Sequence, residues 1–405
     1  MTASAGDPLE TRREDEARIS DSIDQLFHWL EENHYTGWDT FDGLSSVWAR
    51  PLTFEIKTFN QILQQGIRRF PLNLRPLFGV RKGMSTKAMG FFARGFIRLH
   101  QTTQNPRWSE KARFCLDWLR EHTSPGYSGA CWGNHFDYQS RNSFIARGVP
   151  TIVWTSLIGH AFLDGYEYFG SPEYLRVAES ICEHITRDLR VLSEGEARCF
   201  DYFPEADCWV HNSNTLGACF LARTCRHTPN PEYLDLACRA MLYTASHQRP
   251  DGSWYYGEKS NMAWVDNFHT AYVLDCFRHY QLATGDAQFA AVLDKGYDFW
   301  KRTFIQADGT PRYYDSKAMP IDIQCSSQAI DTLVFFSPTD PEALPLARKV
   351  ALWTIDKMQD RKGFFYYRRY ALGIVNKTPT LHWGQATMMS ALASLLQAMR
   401  SEDRP

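Results

Sequence analysis

The sequence predicts an all-α fold, an (α/α)6 toroid in which six inner helices stand inside a ring of six outer ones. Three observations predict it. Amphipathic helix starts recur along the chain, most closely in "GSPEYLRVAESI" from Gly170 and "PNPEYLDLACRAM" from Pro229. Segments that are apolar nearly all round, as buried helices are, alternate with them. Links from a buried segment to the next amphipathic one are short, whereas the return links are long and rich in Trp, Tyr, Gly, Asp and His.

Taken in order, residues 1–18 are polar and charged and read as a disordered tail. They lack the apolar core of a signal peptide. Residues 19–33 read as the first outer helix. Residues 47–84, with "NLRPLFG", do not fit the repeat and read as an extra helix or two closing the seam of the ring. The first buried helix spans 85–103. "QNPRWSEKARFCL" from Gln104 starts the next outer helix, with Pro in the first turn, where its missing N–H costs nothing. Buried helices follow at 151–169, 215–224, 268–280, 323–336 and 383–399. The outer helices between them start at Gly170, Pro229, Gly285 ("GDAQFAAVLDKG") and Thr339 ("TDPEALPLARKV"). Leu175, Ala178, Cys182, Ile185 and Leu189 share one face at helical spacing, as do Leu234, Cys238, Met241 and Ala245. Short loops at one end and long loops at the other describe a toroid domain over 19–400, with every long loop around one mouth. An open solenoid is the rival arrangement, and the seam insert favours closure. Strand–helix alternation is absent, as are GxGxxG and Walker loops, so the pattern argues against Rossmann and TIM-barrel folds.

The net charge of −2 leaves no basic stripe for nucleic acid. No apolar run is long enough to span a bilayer. The ten cysteines are scattered singly, with no CxxC, and fit reduced thiols in a cytoplasmic protein.

The long loops carry the candidate site. Around the predicted mouth stand Trp38 and Asp42; Trp132, His135, Asp137 and Arg141; His211 and Asn212; Trp254, Tyr255, Tyr256, Asp266 and His269; Tyr314, Asp322 and Gln324; and Tyr367, Arg368, His382, Trp383 and Gln385. Each alone has a plain structural explanation. Asp266, Asp322 and Asn212 can be N-caps, and a loop tyrosine can simply pack. Recurrence of the same residue types at one end of every repeat is what makes a site. Aromatic faces flanked by carboxylates, amides and Arg suit a saccharide. Inner-helix N-termini aimed at the mouth, with Arg nearby, suit an anionic one such as a uronate polymer.

Hydrolysis is the leading expectation: two carboxyls flanking a glycosidic bond hydrolyse it, and Asp137, Asp266 and Asp322 are the leading candidates for that chemistry, with Asp42 next. Elimination or C5-epimerisation needs a base, an acid and an enolate stabiliser, and His135, His211, His269 and His382 are the candidates for those roles. Binding without catalysis is the third possibility. No cofactor is expected. Asp322, Cys325 and His382 could hold zinc, but their D-x-x-C spacing differs from the D-x-C of the prenyltransferase β-subunits.

The motifs "YTGWDTFDGLSS", "NLRPLFGVRKG", "GYSGACWGNHFDYQSR", "QRPDGSWYYG", "WVDNFHTAYVL", "PIDIQCSSQAI", "MQDRKGFFYYRR" and "HWGQA" together resemble a bacterial and archaeal family encoded near surface-polysaccharide genes. That family is similar in fold to six-hairpin glycosidases. Relatives sometimes carry the label delta-aminolevulinic acid dehydratase, a TIM-barrel enzyme whose strand–helix alternation this chain lacks. The resemblance implies the toroid and a role in surface polysaccharide biosynthesis. It transfers no catalytic residue.

Overall fold

The computed structural model describes residues 8–402. Among them the outer helices are α1 (Pro8–Glu32), α5 (Pro106–Glu121), α7 (Pro172–Arg187), α9 (Pro231–Ser246), α11 (Ala290–Phe304) and α13 (Ala343–Met358). The inner helices are α4 (Thr86–Thr103), α6 (Ile152–Phe169), α8 (His211–Cys225), α10 (Asn267–Thr284), α12 (Ile323–Phe336) and α14 (Thr387–Glu402). Two further helices, α2 (Ala49–Thr53) and α3 (Lys57–Arg69), occupy the stretch that does not fit the repeat. Each inner helix packs on the next, and α14 returns to α4, so the ring is closed and the fold is an (α/α)6 toroid.

The helix starts follow the sequence signals. Asn105 and Asn230 cap α5 and α9 with their side chains, each followed by Pro at the first helical position. Thr151, Asp266 and Asp322 cap α6, α10 and α12. At the closing joint Gly95 of α4 lies against α14. A Cβ there would stand 3.2 Å from Ser390 Cα, so a larger residue would push α14 away by a few tenths of an ångström.

One expectation changes. Helix α1 begins at Pro8, inside the stretch read as a disordered tail; residues 1–7 lie outside the described ones. Long-range ion pairs explain the longer helix: Arg12 with Glu402, Arg348 with Asp15, and Arg400 with Glu16 tie its first turns to α13 and α14. The sequence shows the charges but not their partners.

Short strands line the long loops: β1 (Tyr138–Gln139) with β2 (Phe144–Ile145), β3 (Val191–Glu194) with β4 (Ala197–Phe200), and β5 (Ile321–Asp322), β6 (Arg368–Arg369) and β7 (Val375–Asn376) in one antiparallel sheet.

Candidate active site

A cavity of about 360 Å³ opens where the inner-helix N-termini meet the long loops. Its wall takes Lys87 from α4, Trp154 from α6, Asn212 from α8, His269 from α10 and Gln324 from α12, and His382 and Trp383 from the turn ahead of α14. That turn, Leu381–Ala386, is π-helical, and Trp383 departs from helical geometry. Such turns in helices are frequent at functional sites.

Asp39 and Asp266 are the carboxylates on the cavity wall among the described residues, and each is bonded to a histidine. Asp266 caps α10: its Oδ1 accepts the His269 N–H at 3.1 Å. Its Oδ2 joins His269 Nδ1 at 2.7 Å and accepts Trp264 Nε1 at 2.8 Å. With both oxygens engaged, Asp266 holds His269 in orientation rather than acting as a free acid.

The second pair is His382 Nδ1 with Asp39 Oδ1, 2.8 Å apart and both nearly fully buried. Burial pushes the Asp39 carboxyl up, but His382 and His135 beside it, with the Thr40 N–H, hold it well below the usual carboxylate range. Asp39 is therefore charged and accepts the Nδ1 proton. Burial lowers His382, Asp39 opposes this, and Lys87 and His135 lower it further, so the ring is neutral at pH 7. Its Nε2 carries the lone pair and has no hydrogen-bond partner. The rings run His382–Trp383–Phe268–His269 with successive centroids 5.8, 5.4 and 4.1 Å apart, so one aromatic wall carries both imidazoles.

Cations face the same hollow. Burial drops the Lys87 ammonium to about 8, against the pull of Asp39. Lys87 Nζ lies 5.1 Å from the centre of the Trp154 ring. The Arg68 guanidinium sits 4.2 Å over Phe41 and donates through Nε to the Tyr367 hydroxyl.

Of the residues singled out from sequence, Asp266, His269, His382, Arg141, Asn212, Tyr256, Tyr314, Gln324 and Trp383 line the cavity. The others do not, each for a physical reason. Trp132 and Trp254 are core residues whose indole N–H groups donate to the Leu119 and Thr244 carbonyls. The Trp38 N–H donates to Val80 O. Asp322 pairs with Arg368 at 2.6 Å while capping α12, and Asp42 pairs with Arg75 at 2.7 Å. Asp137 accepts the Arg147 N–H. His211 is bound to Glu258 at 2.6 Å. His135 packs on Gly83 behind Asp39. Tyr255 is exposed beneath Arg249, Tyr367 accepts from Arg68, and Gln385 bonds the Phe365 and Thr380 backbone. The Asp322–Cys325–His382 set does not assemble, because Asp322 and His382 hold other partners.

Lys87 and Arg68 are among the wall residues that the site candidates omit, and Asp39 enters from sequence only as a neighbour of Trp38 and Asp42 in "YTGWDTFDGLSS". Lys87 had a legible signal: a lysine in the first turn of an otherwise buried helix opposes both burial and the helix dipole.

No protein-family model matches this chain, and no curated protein sequence matches it. Solved structures do. A cellobiose 2-epimerase from Bacillus thermoamylovorans matches with TM-score 0.59 at 11% identity over 78% of this chain and 90% of its own. A GH76 α-mannanase from Bacteroides thetaiotaomicron matches with TM-score 0.59 at 12% identity over 79% and 87%. An unsaturated glucuronyl hydrolase specific for heparin matches with TM-score 0.61 at 12% identity over 96% and 98%. The chain thus shares the toroid of six-hairpin glycosidase-like proteins; identities this low speak for the fold alone.

Proposed function

We propose that the protein is a carbohydrate-active enzyme that moves a proton on an anionic saccharide through two histidines, in epimerisation, isomerisation or elimination. The carrying observation is the pair of carboxylate-oriented imidazoles on one cavity wall. One neutral histidine removes the proton beside a carbonyl or carboxylate, and the other delivers a proton. Lys87, with Arg68, supplies positive charge for the substrate anion and the enolate oxygen. The cavity lies at the small end of ligand pockets, which suits one or two sugar rings. Solved structures of similar fold include proteins named as epimerase and as hydrolase, so the residues must discriminate. Hydrolysis is the second reading, favoured by the unpartnered Asp39 Oδ2; it wants a second free carboxyl, and Asp266 is committed to His269 and Trp264. The motif resemblance supports a role for this chemistry in surface polysaccharide biosynthesis.

Incubation with uronates and reducing sugars in D2O tests the reading. Deuterium uptake at carbon, or an unsaturated product, is the expected result. New reducing ends without carbon exchange would move the assignment to hydrolysis.

Lys87 gives a pH-dependent prediction. The ammonium is charged below about 8, so affinity for an anionic saccharide is expected to fall as pH rises through that value. Lys87→Met should weaken affinity and flatten that fall. It also removes a positive charge that lowers His382, so the acid limb of turnover should move to higher pH. A variant with unchanged profiles of both kinds would take Lys87 out of the site.

A further inference from the structure

Helix α3 is turned inside out. Its buried positions include Asn60, Gln64 and Arg68, whereas Phe59 and Ile62 face water. The buried polar groups are satisfied: Gln64 exchanges two hydrogen bonds with the Gln139 backbone, and Arg68 reaches Tyr367. Nothing among the described residues covers the apolar side. It continues into neighbouring segments, where Phe54 is 72% exposed, Leu77 76% and, on the β6–β7 turn, Leu372 97%. That turn is fastened to the end of α3 by the Tyr370 hydroxyl on Arg69 O and Asn376 Nδ2 on Phe70 O. Phe54 and Glu55 both hold positive φ, a conformation non-glycine residues seldom adopt, at the point where Phe54 projects. Ten of the seventeen large hydrophobic residues exposed among the described ones fall between Val47 and Leu77, too concentrated for scattered surface residues.

The patch is also basic. Between Val47 and Lys82 the chain exposes Arg50, Lys57, Arg69, Arg81 and Lys82 against one exposed acid, Glu55, which Arg50 neutralises at 2.8 Å. The chain as a whole carries −2, so the positive charge is local. Half-exposed Trp48 adds the amphipathic ring that favours a bilayer interface.

We infer that this face docks on an anionic membrane surface. A second copy is the poorer occupant, because a two-fold contact would set the basic patch against itself. No described helix is long and apolar enough to cross a membrane, so α3 lies in the interface plane. Helix α3 also gives Gln61, Gln65 and Arg68 to the cavity wall, so docking sets the mouth beside the headgroups.

Vesicle flotation tests this. The protein is expected to float with vesicles of phosphatidylcholine and phosphatidylglycerol and to stay behind with phosphatidylcholine alone. Phe54→Ser/Ile62→Ser/Leu72→Ser and, separately, Lys57→Glu/Arg81→Glu should each cut binding at least about 10-fold. Should a variant fold poorly, brominated lipid offers a second measurement: it should quench wild-type fluorescence, and Trp48→Phe should remove most of that quenching. Absence of binding to the mixed vesicles, native-level binding by both variants, or a dimer abolished by the same serines would overturn the assignment.

Discussion

Replacing His382 with Asn is expected to lower turnover by about 10²- to 10⁴-fold, the usual worth of a positioned acid or base, with little change in melting temperature. Asn can donate to Asp39 as imidazole Nδ1 does, but it has no lone pair at the place of Nε2. The burial and hydrogen bond of the native ring, 2.8 Å to Asp39 Oδ1, are thus largely kept while the basic nitrogen is lost. His269→Asn should produce a loss of the same order, because Asp266 Oδ2 holds that ring at 2.7 Å in the same manner. Carbon–deuterium exchange, followed with melting curves, reads both. An Asn variant that still exchanges within tenfold of the native rate would show that its histidine is not chemical.

Asp42→Ala is expected to cost about 3–5 kcal/mol of folding stability, the range for removing one partner of a buried ion pair. Asp42 and Arg75 are each almost wholly buried, at 2.7 Å. Burial pushes Asp42 up to about 6 against the pull of Arg75, so the pair is charged at neutral pH and the bare guanidinium would be stranded. Function should suffer with stability. Asp42 Oδ2 accepts the Asp39 N–H at 2.8 Å, and Arg75 donates to the Asp39 carbonyl. The pair therefore fixes the loop that presents Asp39 to His382. Replacing both by apolar residues, Asp42→Leu with Arg75→Met, is expected to recover much of the stability without restoring activity. Denaturant unfolding and the exchange assay, run on both variants, check this. Equal activity in the double variant and the native protein would detach the loop from the chemistry.

How much was legible depends on the range of the interaction. Asp266 and His269 stand three residues apart at a helix start, and a local reading finds both. His382 is found as a residue, but its partner Asp39 lies 343 positions away, and no spacing rule reaches that far. Trp132 and Trp254 look like ligand-binding rings because they sit in polar loops. Their indole N–H groups instead find backbone carbonyls, which lets the rings sink into the core. Asp322 and Arg368 look like active-site charges, yet they neutralise each other across the β5–β6 pairing. The apolar residues around Lys87 read as core and mask it.

The alternation of inner and outer helices, and the end at which the long loops gather, follow from the residues alone. Helix periodicity, caps and breakers act within a few residues, so the chain displays them directly. The contact of α14 with α4, the charges that cancel in pairs and the two histidines left on the cavity wall emerge only in the packed ring. Those outcomes are set by burial and by partners hundreds of residues apart, and become defined only once the ring has closed.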